Sequence, residues 1–97
     1  MKSVEEIRTI IGQHGDAIAQ RYGVSIVGIF GSYVRGEQRA ESDIDLLAEI
    51  LRPVSLLELV GAEIYLSEVL GLKVDLVPKR DVRKDLLESI LVDAITV

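Results

Sequence analysis

The apolar run Val24-Ser25-Ile26-Val27-Gly28-Ile29-Phe30 ends in Gly31-Ser32, and after ten further residues comes Asp43-Ile44-Asp45. A third acid, Asp75, stands inside the apolar run Val74-Asp75-Leu76-Val77. Glycine lets backbone approach a ligand closely, and free N–H groups at a helix start point at anionic oxygens, so Gly31-Ser32 after a buried strand suits a phosphate. Ser32 adds a hydroxyl donor. Arg35 is the nearest cation, placed to hold a phosphate or to pair with Glu37 or Glu41. By itself Gly-Ser reads more readily as an ordinary turn than as a phosphate site.

Alternate residues of a strand share a face, so Asp43 and Asp45 are expected to crowd two carboxylates at a strand's start. Such a pair is unfavourable without a cation, and Mg²⁺ characteristically takes one or two carboxylates together with substrate phosphates and water. A solvated turn followed by an exposed strand charge is the alternative. Asp75 is out of place in an apolar strand by propensity and by burial cost, and so is expected to need a partner. If its strand lies beside that of Asp43 and Asp45, three acids converge on the mouth of the cradle, as two-metal phosphoryl or nucleotidyl transfer requires. Pairing with Lys73 or Arg80 at a sheet edge would be the structural explanation.

Those residues need a scaffold, and the periodicity supplies one. Apolar residues at threes and fours from Ser3 to about Tyr22, with Glu6 three residues after Ser3, predict a capped helix ending near Gly23. Strands follow at Val24–Phe30 and about Ile44–Ile50, the latter closed by Arg52-Pro53. Ser55 and Glu58 form a second capping box, and Leu56, Leu57, Val60, Ile64 and Val69-Leu70 carry a helix to Gly71. Lys73–Val77 reads as a strand ended by Pro78, Val82 to about Val92 as a helix, and Ala94–Val97 as a β-prone tail. The fold class is α/β (α+β), a small mixed sheet covered by helices. Apolar residues on the helices are expected to be core, and His14 to be a packed or rim histidine without chemistry.

With 97 residues, 48% of them hydrophobic, the chain is expected to form one domain over 1–97. Eleven Lys and Arg against sixteen Asp and Glu give a net charge of -5, the wrong sign for bulk binding of DNA or RNA. Only four aromatic residues and no Trp leave little for a base-stacking platform. The absence of cysteine excludes a thiolate nucleophile and Cys-ligated zinc and is compatible with the cytoplasm. Charges at Glu5, Glu6 and Arg8 interrupt any leader-like stretch, and no run approaches a membrane span, so a cytoplasmic location without membrane contact is expected.

Gly31-Ser32 with Asp43-Ile44-Asp45 resembles the signature of the DNA polymerase beta nucleotidyltransferase superfamily, with Asp75 in the place of its third carboxylate. Gly, Ser, Asp and Asp at fixed offsets arise by chance on the order of once in a thousand chains of this size. Through GSYVRGE, SDIDLL and LGLKVDLVP, nearly the whole chain is similar to the minimal, MNT-type branch. The resemblance implies that Gly31 and Ser32 bind nucleotide phosphates, with Arg35 assisting. It implies that Asp43, Asp45 and Asp75 hold the metal, Mg²⁺ and two ions of it, and that Asp75 helps activate the acceptor. It further implies transfer of AMP from ATP to a tyrosine of a HEPN-type toxin, which this chain neutralises as the antitoxin. Val34 departs from the alanine usual there.

Three other readings are weaker. Transfer to a small hydroxylated molecule uses the same motif but generally needs a further helical domain or a dimer to build the acceptor pocket. A non-catalytic antitoxin that masks its partner by contact would not need the intact acid set. A template-directed polymerase conflicts with the acidic charge.

Overall fold

A computed structural model describes residues 2–31, 34 and 43–97 of the chain. Its elements are α1 (Val4–Tyr22), β1 (Val24–Phe30), β2 (Ile44–Ile50), α2 (Leu56–Leu70), β3 (Val74–Pro78), a 3₁₀ turn (Lys79–Asp81), α3 (Lys84–Asp93) and β4 (Ile95–Thr96). Both expected capping boxes form. Ser3 Oγ accepts from Glu6 N at 3.1 Å while Glu6 Oε1 accepts from Ser3 N at 3.1 Å, and Ser55 and Glu58 repeat the exchange at 3.2 and 3.1 Å. The helices stop at Gly23 and Gly71, whose N–H groups donate to Ala19 and Ser67 carbonyls.

The described strands form one mixed sheet in the order β3-β2-β1-β4, with β2 and β3 parallel and the remaining pairs antiparallel. Ile44, Leu46 and Ala48 of β2 and Val74 and Leu76 of β3 enter the core with Ile7, Ile11 and Ile18 of α1 and Ala62, Leu66 and Leu70 of α2. Because side chains alternate, Asp45 and Asp75 fall on the opposite face. A bulge sharpens this division. Val27-Gly28 together oppose Leu47, so Val24 and Ile26 face the helices before it and Ile29 after it, which turns Phe30 to the acid-bearing side. At Gly28 a Cβ would lie 2.9 Å from the Ile95 carbonyl, so glycine is what allows β4 to pair there.

β3 is an edge strand, and α2 covers its outer rim. Ser67 Oγ accepts from Val74 N at 3.1 Å and Glu63 Oε2 from Leu76 N at 2.9 Å. Pro78 was expected to end β3 and instead belongs to it, since an edge position needs no outward N–H. The last helix is shorter than Val82–Val92 at its start, because the 3₁₀ turn precedes it.

A larger correction concerns α2. Leu56, Leu57, Val60 and Ile64, expected as core, are 75%, 82%, 42% and 54% exposed. Ala62, Leu66 and Leu70, with half-buried Leu59 and Val69, supply the inner face instead. A helix apolar around its whole circumference gives periodicity no face to choose. His14 is a rim residue, its Nδ1 2.7 Å from the Tyr65 hydroxyl and its ring edge-on to that tyrosine.

Candidate active site

The acids lie at the starts of β2 and β3. Asp43 precedes β2, Asp45 is its second residue, and Asp75 is the second residue of β3. Asp45 and Asp75 are direct register partners in parallel strands, with backbones about 4.8 Å apart and side chains on the same face. The Ile44 N–H donates to the Lys73 carbonyl at 2.9 Å and fixes this alignment where the two strands begin. Asp75 is exposed, which corrects the expectation of a buried acid in need of a partner. Its strand is covered on one face only, so the acid stays in solvent. Lys73 pairs with Asp43, at 3.9 Å, rather than with Asp75, and Arg80 contacts Asp81 at 3.9 Å.

From the other side β1 brings Phe30 opposite Asp45, and Gly31 follows immediately. Gly31 has φ +81°, in the left-handed region, and a Cβ built there would strike Asp45 Oδ2. Any side chain at residue 31 would therefore displace the Asp45 carboxylate. Val34 N donates to the Gly31 carbonyl at 3.1 Å. Ser32 and Arg35, the two other residues expected to bind nucleotide, lie outside the described residues, as do Glu37 and Glu41.

The structure thus brings Asp45, Asp75 and Gly31 together, with Asp43 beside them and held toward Lys73. Among the described residues no group of three metal-competent side chains is drawn together. The donor set nevertheless fits a hard divalent cation, since it consists of carboxylate oxygens, with Asp43 and Asp45 partly exposed and Asp75 exposed. Sequence reasoning missed two contributors. Lys73 was weighed only as a partner of Asp75, and nothing short of the strand register selects Asp43 for it. The Gly31–Asp45 contact also depends on the antiparallel pairing of β1 with β2, which motif spacing does not encode.

Comparison with known proteins gives this arrangement its class. Residues 11–97 match the nucleotidyltransferase domain family, so the chain belongs to that family and is a nucleotidyltransferase. Within it the chain is of the minimal, MNT type. The protein adenylyltransferase MntA of Thermococcus cleftensis is 39% identical over 97 residues, which span 100% of this chain and 98% of that one. A solved minimal nucleotidyltransferase superposes with a TM-score of 0.80 at 32% identity, covering 99% of this chain and 97% of its own. A chain from the complex of tri-AMPylated Shewanella oneidensis HEPN toxin with MNT antitoxin shares the fold, with a TM-score of 0.68 at 17% identity over 95% of this chain and 69% of that one. The fold is accordingly the polymerase-beta-type nucleotidyltransferase fold.

Proposed function

We propose that this chain, as one nucleotidyltransferase domain over residues 1–97, transfers AMP from ATP to a tyrosine hydroxyl of a HEPN-type toxin in the cytoplasm and so acts as its antitoxin. The observation that carries the reading is the register pair Asp45–Asp75 on the open face, with Gly31 pressed against Asp45. The adenylyltransferase relative, similar over its full length, supports protein as the acceptor, and the toxin complex of the same fold supports its kind.

Asp43 and Asp45, with Asp75 beside them, would hold Mg²⁺, two ions in this reading. When bound, the metal supplies charge stabilisation at the phosphates and lowers the pKa of the attacking hydroxyl. In the transfer the acceptor oxygen forms a bond to the α-phosphorus, the bond from that phosphorus to the bridging oxygen breaks, and pyrophosphate leaves. Gly31 leaves the backbone bare beside Asp45, where Ser32 and Arg35 would take the phosphate oxygens. Asp75 stands on the outer strand with its carboxylate in solvent, where it would take the acceptor hydroxyl's proton.

The test is transfer of α-phosphate-labelled ATP to the purified partner by the full chain. Label on a partner tyrosine that disappears with Asp45→Asn or on chelation supports the reading. Label found only in small molecules, or neutralisation that survives Asp45→Asn without label, overturns it in favour of a small acceptor or of contact masking.

A further inference from the structure

The three acids share their corner of the sheet with a cation. Lys73 stands one residue before Val74 and Asp43 one residue before Ile44, and Ile44 and Val74 are register partners, so Lys73 comes opposite Asp43 as Asp75 does opposite Asp45. The Ile44 N–H donates to the Lys73 carbonyl at 2.9 Å and fixes that placement from the backbone. The result is a two-by-two array, about 4.8 Å between strands and about 6.6 Å along them, with carboxylates at three corners and an ammonium at the fourth. Lys73 Nζ lies 3.9 Å from Asp43 Oδ2, and among the described residues Asp43 has no other ion pair or hydrogen bond. The side chains are 81% and 43% exposed, so the pair can open without disturbing the core.

We infer that Lys73 is the resident counter-ion of this site: it holds the Asp43 carboxylate until a divalent cation takes its place, and thereby sets how tightly that cation binds. The inference rests on the proposed reading of Asp43, Asp45 and Asp75 as metal ligands. Three carboxylates this close repel one another, and the ammonium relieves that repulsion in the metal-free chain. It also accounts for why the acids are not drawn into one cluster among the described residues, since Asp43 is engaged by a cation on its own side. The same charge opposes an incoming divalent ion in two ways. Asp43 must give up its partner before it can ligate, and an ammonium anchored at the edge of the array repels a second cation a few ångströms away. Lys73 is therefore a positioning residue for Asp43, and its removal should strengthen metal binding, whereas loss of a residue that merely supported the strand start would weaken it.

The test is direct binding of Mn²⁺, a spectroscopically visible stand-in for Mg²⁺, to the full chain at low ionic strength, followed by the paramagnetic resonance signal of the free ion with no nucleotide or acceptor present. Lys73→Gln is expected to tighten binding by roughly threefold to tenfold and Lys73→Arg to leave it as in the wild type. Neither should move the melting temperature of the metal-free chain appreciably, since an exposed pair contributes little to stability. In the Asp43→Asn background Lys73→Gln should gain much less, because the lysine no longer has a carboxylate to hold. Unchanged or weaker binding by Lys73→Gln overturns the inference and leaves the metal site in place, as does an equal gain in the Asp43→Asn background, which would trace to general charge. Mn²⁺ bound by neither the wild type nor Lys73→Gln would overturn the metal-ligand reading and this inference with it.

Discussion

Gly31 is where backbone conformation and site chemistry meet most closely. Alanine there must adopt a left-handed φ, at a cost of about 1–2 kcal/mol, and its methyl group must move the Asp45 carboxylate. Gly31→Ala is therefore expected to lower transfer by on the order of a hundredfold, out of proportion to a modest fall in melting temperature. Asp75 should separate the same two properties still more cleanly. Because it is exposed, Asp75→Asn is expected to change stability by no more than about 0.5 kcal/mol, while transfer falls by roughly 10²–10⁴-fold if it takes the acceptor's proton. Calorimetry and initial rates on the same preparations check both. That the Asp-x-Asp pair heads a strand, and that a third acid lies on the next one, was legible from alternation and apolar runs. The exposure of Asp75 was not, because an apolar pentapeptide around an acid looks the same whether one face of the strand is covered or two.

The caps of α1 and α2 carry a pH dependence of definite sign. The backbone N–H of Ser55, and then Arg52, hold the Glu58 carboxyl below its ordinary value of 4.5, and the Ser3 N–H does the same for Glu6. A carboxylate with a lowered folded pKa stabilises the fold above its unfolded value, and the gain disappears as pH falls through the folded one. The melting-temperature difference between wild type and Glu58→Gln should thus be present at neutral pH and close below about pH 4.5. Ser55→Ala removes the other half of the box and should cost about 1 kcal/mol, read by denaturant titration. These caps follow directly from S-x-x-E in the sequence, which explains why the starts of α1 and α2 were predicted well while that of the uncapped α3 was not. The bulge at Val27-Gly28 and the exposed ridge of α2 were not, since each depends on which neighbour the element packs against. Gly28 shows its role only once β4 lies beside it, and Leu56 looks like core until Leu66 and Leu70 have filled the inner face.

Among the described residues, the first two helices pack on the sheet face opposite Asp45 and Asp75, so nucleotide and acceptor are expected to approach from the acid-bearing side. None of the described helices is long and apolar enough to cross a membrane. The most direct measurement is the intact mass of a HEPN-type partner co-expressed with the wild-type chain and with its Asp43→Asn/Asp45→Asn variant. A partner heavier by one or more AMP units with the wild type, unmodified with the variant and toxic only in the second case, is the expected result. An unmodified partner that the wild type nonetheless neutralises would contradict nucleotidyl transfer as the basis of its action.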